Sequence, residues 1–159
     1  MQILDGILAV ILLLAAVVSV RAALLRPTPA KTAKIELDNS ERAVEYGKRL
    51  AKMIQKETIS SRENTDYTKF YEFHKELEKL FPQIHQVCEK HDFNGNLLFR
   101  WKGEGSYAPI LLMSHQDVVE ATGMWKHEPF AGEIDEEGRI WGRGTVDTKA
   151  SLFCIFTAL

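Results

Sequence analysis

Two short segments of this sequence carry the residues that could do chemistry. Ser114-His-Gln-Asp117 places a histidine and a carboxylate two positions apart, and Gly142-Arg-Gly-Thr-Val-Asp147 ends a glycine-containing turn on a second carboxylate. Side chains two positions apart point to the same side of an extended chain. His115 can therefore bind a metal ion through one ring nitrogen while Asp117 accepts the N–H of the other. A surface pair is the alternative explanation for a His-x-Asp sequence on its own.

The second segment allows two interpretations of Asp147. Glycines are useful where the backbone bends sharply or closely approaches another group. Asp147 would follow such a bend and lie at the start of a helix, where a carboxylate is electrostatically favoured as a cap. Alternatively, it is a bridging carboxylate between two metal ions about 3.5–4 Å apart. The chemistry of the residues alone leaves these two interpretations evenly balanced.

The elements that must position these segments predict an α/β domain. Apolar residues at helical spacing predict one helix from Asp38, Asn39 or Ser40 to about Gln55 and a second over 67–80. Residues 109–113 (PILLM) form a continuous apolar run, as expected for a strand buried on both faces. This strand would lead directly into the 114–117 segment, and ligands gather at the carboxyl ends of strands in α/β sheets.

The remaining pattern completes this prediction. Residues 84–90 alternate weakly between apolar and polar, and Asn94-Gly95 is a tight-turn signal before a strand over 96–102. Two short strands are expected at 130–134 and 139–141, with a helix over 148–159. The predicted fold is α/β, a mixed sheet flanked by helices.

The amino terminus predicts a membrane segment. Gly6 to Val20 is an unbroken apolar stretch, and Ala22 to Leu25 extends it beyond Arg21. About 20 such residues match the thickness of a bilayer core. We expect a single-pass anchor over 1–25, a Pro-rich basic linker over 26–37 and a domain over 38–159. A cleaved signal peptide, which would make the domain secreted or lumenal, fits less well because no basic residue precedes the apolar run. The basic residues after the span weakly favour a cytoplasmic domain.

The net charge and the cysteine content limit the classes of partner and the disulfides to be expected. The net charge of −2 argues against nucleic acid as a partner, because phosphate binding usually needs a basic surface. Two cysteines, Cys88 and Cys154, do not form a disulfide framework, and their apolar neighbours predict buried free thiols. His74 lies in the second predicted helix, where we expect a surface or boundary side chain.

Several linked motifs resemble one enzyme family. Ser114-His-Gln-Asp-Val-Val119, Trp125, Pro129-Phe130-x-Gly132 and Gly142-Arg-Gly-Thr-x-Asp-x-Lys149 follow in order. Their order, spacing and preceding apolar run resemble the aminoacylase and carboxypeptidase S family of zinc peptidases over roughly 40–159. The nearest branch is that of carboxypeptidase S and the N-fatty-acyl-amino-acid hydrolases. The resemblance implies a zinc-exopeptidase-like catalytic domain.

The same resemblance implies roles for individual residues. His115 corresponds to the first metal ligand, Asp117 to the catalytic carboxylate that orients it, and Asp147 to the ligand that bridges two zinc ions. The implied reaction is hydrolysis of an amide bond, in a small peptide or an N-acyl amino acid, by a metal-activated water. A homodimer is expected for the complete protein. Thr148 departs from the family, which often has a second acid at that position.

The resemblance also implies that the general base and the remaining metal ligands lie beyond Leu159. We therefore expect this chain to be an amino-terminal fragment that is inactive by itself and binds zinc weakly. The alternative is a membrane-anchored binding module, or degenerate homologue, that performs no hydrolysis.

Overall fold

The computed structural model describes residues 2–25, 40–63 and 66–159. The chain forms two compact units, Met1–Leu37 and Asp38–Leu159. The linker predicted over 26–37 lies outside the described residues, as do Asp38 and Asn39, two of the three candidate caps for the first predicted helix.

The first unit contains helix α1, Gln2–Leu24. At 1.5 Å per residue its 23 residues extend about 35 Å, enough to cross the apolar core of a bilayer. Its segment Leu4–Leu24 has no buried residue and is the one helix in the described part of the chain that could span a membrane by length and composition. A signal sequence near an amino terminus has the same character, so this helix fits either a span or a signal.

Two amphipathic helices form one layer of the second unit. Helix α2 covers Glu41–Ile54, and its first turn is capped by Ser40, whose Oγ accepts a hydrogen bond from the Ala43 N–H at 3.2 Å. Helix α3 covers Thr68–Leu80. Both predicted helices are confirmed to within a few residues at each end. Each turns an apolar face inward, and Phe73 of α3 is fully buried.

The segment after α3 differs from the prediction. Helix α4, Pro82–Val87, replaces the alternating segment expected over 84–90. Pro82 ends α3 but starts α4, because a proline at the first helical position removes an N–H that would have no helical partner there. Strand β1, Glu89–Phe93, then pairs antiparallel with β2, Asn96–Arg100. The predicted turn between them is confirmed: Asn94 and Gly95 both have positive φ, 53° and 82°.

A second small hairpin lies close to the glycine-containing segment. Strands β3, Glu133–Ile134, and β4, Ile140–Trp141, pair antiparallel, as predicted for this region. The chain then makes an irregular wide helical turn over Thr145–Lys149 and enters helix α5, Ala150–Ala158. The predicted final helix is confirmed and begins two residues later than expected.

The predicted strand over 109–113 is wrong for this structure. Residues 109–113 have no regular secondary structure, and Ile110 and Met113 are 88% and 77% exposed. Instead of one mixed sheet, the described residues form two two-stranded antiparallel sheets and an isolated parallel bridge between Ile59 and Val118. An extended apolar segment becomes a strand only when another backbone satisfies its N–H and C=O groups. No described segment does so along 109–113.

The core of the second unit lies between helices α2 to α5 and strand β2. It consists of Met53, Phe73, Leu77, Phe81, Ile84, Cys88 and Phe153. Two other side chains differ from their predicted environments. His74 is buried, at 4% exposed, and Cys154 is exposed because its neighbour Phe153 occupies the inward face of α5.

Candidate metal centre

The imidazole of His115 lies between two carboxylates. Its Nε2 is 3.0 Å from Oδ1 of Asp147, and its Nδ1 is 3.1 Å from Oδ1 of Asp117. Nδ1 also lies 3.0 Å from the backbone carbonyl oxygen of Asp117. The structure therefore brings all three sequence-predicted site residues together, with Asp117 and Asp147 at opposite nitrogens of one ring.

Residues 58–60 contact Asp117 on the side away from His115. Ser60 donates its hydroxyl to Oδ2 of Asp117 at 2.5 Å, so both carboxylate oxygens have partners. The backbone is joined as well: the Val118 N–H donates to the Thr58 carbonyl at 2.9 Å, and the Ser60 N–H to the Val118 carbonyl at 3.1 Å. These bonds form the parallel bridge between the segment after α2 and the His-Gln-Asp segment. Because of them, Asp117 has a fixed position even though its side chain is 41% exposed.

The glycine-containing turn brings Asp147 to the ring of His115. Gly144 has φ 81°, and a Cβ built there would lie 2.5 Å from Cγ1 of Val118. Any side chain at position 144 would therefore separate the turn from the His115 segment. The Asp147 side chain is 84% exposed, and its Oδ1 faces Nε2 of His115.

Thr148 ties these two segments together. Its hydroxyl donates to the carbonyl of His115 at 2.8 Å and lies 2.9 Å from Oγ of Ser114. Ser114 in turn donates to the Thr148 carbonyl at 3.2 Å. The peptide bond between Asp147 and Thr148 is cis. The residue that departs from the family pattern thus links the histidine segment to the Asp147 turn.

Lys149 anchors the other side of the turn. Its side chain is fully buried, and its Nζ donates to the carbonyls of Met53 at 3.0 Å and Lys56 at 2.5 Å, at the carboxyl end of α2. The ammonium also lies 5.1 Å from the centre of the Phe73 ring. Burial lowers the pKa of Lys149 to about 8.

The surroundings of His115 favour its protonated form. Partial burial by itself lowers the pKa of His115, but hydrogen bonds to the Asp117 carbonyl and the Asp147 side chain, together with the negative charges of both carboxylates, raise it by more. The net result is a pKa above the ordinary value of 6.5. A ring flanked by two acceptors holds a cation well, whether the cation is a proton or a metal ion in place of the Nε2 proton.

Two of these donor atoms suit a shared zinc ion. Ligand atoms at about 2.0–2.1 Å from a tetrahedral zinc lie about 3.3 Å apart, close to the 3.0 Å between His115 Nε2 and Asp147 Oδ1. Asp117 cannot be the third ligand, because it faces the opposite nitrogen of the ring. Within 2–25, 40–63 and 66–159, no group of three or more His, Cys, Asp or Glu side chains could hold a metal ion. The residues fit part of a zinc site.

A cleft of about 440 Å³ opens beside this pair of donors and is lined by His115, Asp117 and residues 140–147. Arg143, on this lining, has its guanidinium 4.6 Å from the centre of the Trp125 ring and donates to the Glu120 carbonyl at 3.2 Å. Trp125 therefore packs against the Arg143 side chain beside this cleft.

His127 lies in the loop before the second hairpin. Its ring stacks on Trp141 at 4.3 Å, and its Nδ1 pairs with Glu133 at 2.9 Å. Only 17% of the side chain is exposed, so it belongs to the packing of the second hairpin.

Sequence reasoning did not identify Ser60, Thr148 or Lys149 as supports of this site. Ser60 lies in a polar segment that reads as a loop, and its partner Asp117 is 57 positions away. Lys149 is the last residue of the motif that begins at Gly142, but no local pattern indicates a buried lysine. Its position gives one indication: Lys149 directly precedes the mostly apolar residues 150–156, and a charged residue next to a buried segment usually has a partner.

Comparison with known proteins shows which family the chain resembles. Residues 111–159 match the family model of Peptidase family M20/M25/M40. The chain is 38% identical to a probable carboxypeptidase S-like 2 of Dictyostelium discoideum, over 73% of this chain and 24% of that protein. It is also 38% identical to carboxypeptidase S of Saccharomyces cerevisiae, over 70% of this chain and 21% of that protein. A human N-fatty-acyl-amino acid synthase/hydrolase, PM20D1, is 35% identical over 76% of this chain and 25% of its own length.

These matches identify the chain as a relative of the M20 peptidases. The predicted resemblance to carboxypeptidase S and the N-fatty-acyl-amino-acid hydrolases is confirmed. The chain spans about a quarter of the length of the curated relatives it matches. No solved structure matches it significantly.

Proposed function

We propose that this chain contributes part of the metal centre of an enzyme that hydrolyses an amide bond, in a peptide or an N-acyl amino acid. The observation that carries the proposal is the His115 ring held between Asp117 and Asp147. The names of the relatives, carboxypeptidase S and N-fatty-acyl-amino acid synthase/hydrolase, supply the two substrate classes.

In this proposal the three residues divide the work. His115 through Nε2 and Asp147 through Oδ1 would hold a zinc ion, and the exposed carboxylate of Asp147 would be available to a second. Asp117 is a positioning carboxylate: it would keep the proton on Nδ1 of His115, so that the lone pair of Nε2 would be free to bind the metal. When bound, zinc supplies an activated water and polarises the carbonyl of the amide.

Zinc affinity tests this assignment directly. We expect His115→Ala to weaken zinc binding by the full 159-residue chain at least tenfold, measured by competition with a chromogenic chelator. His91→Ala is the matched control, because His91 is an exposed histidine of β1 with no contact to the site. Equal affinities for the wild type and His115→Ala would overturn the proposal.

A non-catalytic binding module is the second candidate. It is favoured by the finding that the described residues contain no group of three metal ligands. Zinc affinity separates the candidates, because a binding module does not need His115 to bind metal, whereas both candidates predict that purified residues 1–159 release no product from an N-acyl amino acid or a dipeptide. Turnover that survives in wild type and disappears in His115→Ala would show that the chain is a complete catalyst, contrary to this expectation.

We also propose that α1 is a single-pass membrane anchor, with the domain of 38–159 attached through residues 26–37. Its length and exposed apolar surface support this assignment. Amino-terminal sequencing of the membrane-extracted protein tests it. Recovery of Met1 or Gln2 is expected, and a start near residue 26 would show a cleaved signal instead.

A further inference from the structure

Gln116 stands between the two chemically active residues of its segment and points away from them. In an extended chain, alternate side chains face opposite sides, so Gln116 faces inward while His115 and Asp117 face the cleft. Its Oε1 lies 2.9 Å from Nε2 of His74, and its Nε2 donates to the Gly95 carbonyl at 2.5 Å. Both ends of the amide are therefore engaged. The opposite orientation would set the amide oxygen against the Gly95 carbonyl, so these contacts fix it.

His74 is the buried partner of this amide. It projects from the middle of α3, and its side chain is 5% exposed. Burial lowers the pKa of His74, although Gln116 and Asp92 oppose this effect. The ring is therefore neutral at neutral pH and has a single N–H to donate. Of its two neighbouring acceptors, Oε1 of Gln116 at 2.9 Å is closer than Oδ2 of Asp92 at 3.5 Å, so the N–H goes to Gln116.

The tip of the first hairpin closes the same network. Asp92 accepts a hydrogen bond from the Gly95 N–H at 2.9 Å through Oδ1, and its Oδ2 faces His74. Gly95 thus contacts Asp92 through its N–H and Gln116 through its carbonyl. The side-chain amide of Gln116 therefore connects its own segment to helix α3 and to the β1–β2 turn. Thr58 adds a further bond, from its hydroxyl to the Gln116 carbonyl at 2.6 Å.

We propose that His74 and Gln116 form a positioning pair that sets the orientation of the His115 ring and the Asp117 carboxylate. Gln116 is bonded covalently to both residues, so rotation of its backbone moves the two side chains together. A metal ligand must be held to within about 0.5 Å and 10–20° to bind productively. The inference rests on the proposed function only in treating His115 as a metal ligand. The mechanical coupling to His115 does not depend on metal.

The competing explanation is that His74 is merely a satisfied polar group in the core. Its loss would then lower stability and leave the His115 ring where it is. Buried polar groups usually do have hydrogen-bond partners, so the contacts alone do not decide between the two. A measurement on His115 itself is required.

Two readouts on the full chain in detergent separate these explanations. The first is the ¹⁵N–¹H spectrum of the imidazoles without metal, which is tractable because the chain has five histidines. The second is zinc affinity by chelator competition. His74→Leu removes the donor and Gln116→Leu the amide. His74→Gln restores an N–H near the position of Nε2. Phe73→Leu, a neighbouring fully buried residue of α3, is the control for general destabilisation.

We expect His74→Leu and Gln116→Leu to shift the His115 resonances and to lower zinc affinity about 10- to 100-fold, the usual effect of removing an outer-shell partner. His74→Gln should recover most of that affinity, and Phe73→Leu should change it less than about threefold at a matched folded fraction. If His74→Leu leaves the His115 resonances and zinc affinity at wild-type values, or if Phe73→Leu alters both equally, the positioning pair is wrong. Should a leucine variant fail to fold, Gln116→Glu, which replaces the donor to the Gly95 carbonyl with a negatively charged oxygen, is judged by the same two readouts.

The outcomes for the two proposals are distinguishable. If wild type binds no zinc but His74→Leu shifts the His115 resonances, the proposed function fails and the positioning pair stands. If His115→Ala abolishes zinc binding while His74→Leu has no effect on affinity or on the spectrum, the positioning pair fails and the proposed function stands.

Discussion

The buried amine of Lys149 makes a prediction whose size follows from the structure. The side chain is fully buried at the carboxyl end of α2, and burial lowers its pKa from 10.5 to about 8. In the unfolded chain the amine is solvated and has an ordinary pKa. Between pH 8 and 10.5 the unfolded state therefore binds one more proton than the folded state. Because stability rises with pH wherever the unfolded state binds more protons, this group makes the fold more stable across that window.

The magnitude can be estimated from the two pKa values. Each tenfold difference in proton affinity corresponds to about 1.4 kcal/mol. A pKa of about 8 against 10.5 thus corresponds to about 3 kcal/mol of stability gained from Lys149 as pH rises through the window. The neutral amine still donates to Met53 and Lys56, because an amine donates to carbonyl oxygens in either charge state.

The perturbation is Lys149→Met, which keeps most of the volume and removes the titrating group. At pH 7 two effects oppose each other: the variant leaves two carbonyls without a partner, and it also avoids burying a charge. We expect the two proteins to differ by only about 1–2 kcal/mol there. From pH 7 to 10.5 the wild type should gain about 3 kcal/mol relative to the variant.

Urea unfolding of the full chain in detergent with a chelator, followed by tryptophan fluorescence at five or six pH values, measures this difference. Other groups that titrate in the same range cancel because only the gap between the two proteins is used. Lys52→Met, the same chemical change at an exposed position of α2, should give a curve parallel to wild type. If the free energies of unfolding of the wild type and of Lys149→Met change with pH in parallel, to within about 1 kcal/mol, the reasoning is refuted.

Three further predictions concern the turn, a helix cap and the thiols. Gly144→Ala should cost about 2–4 kcal/mol in urea unfolding, from positive φ and overpacking, whereas Gly138→Ala, at φ 78° in open space, should cost only about 1 kcal/mol. Equal costs would show that the close approach at position 144 is unimportant. Ser40→Ala should lower stability by about 1 kcal/mol through loss of the α2 cap, measured by thermal unfolding. Iodoacetamide should modify exposed Cys154 in the native chain while Cys88, whose thiol pKa is raised by burial, reacts only on unfolding; mass spectrometry that finds Cys88 labelled first would contradict its burial.

The sequence by itself determined the features that depend on neighbours along the chain. Helix α2 follows from its apolar spacing and from the Ser40 cap, and the hairpin turn at Asn94-Gly95 follows from residues that tolerate positive φ. The family likeness followed from the residue types and spacing of the motifs around His115 and Asp147. Each of these signals lies within a few residues or within one motif, so the pattern is visible without a fold.

Tertiary structure decided the features that depend on distant partners. Ser60 meets Asp117 across 57 positions, His74 meets Gln116 across 42, and Lys149 reaches Met53 across 96. Nothing in the local sequence selects these partners, because chain closure over such distances is rewarded only when the whole fold forms. This is why the sequence indicated His115 as a candidate metal ligand but did not indicate the distant residues that position its segment.

The segment 109–113 shows that a local pattern can also predict an element that the fold does not form. Its composition favours a buried strand, yet in the described structure it has no paired backbone and its side chains are exposed. Residue type sets the preference for a strand, but the ladder exists only where a second segment supplies hydrogen bonds. The sequence therefore determined what chemistry the His115 segment can do. The folded chain decided which atoms hold that segment in place, because those contacts join parts of the chain that only folding brings together.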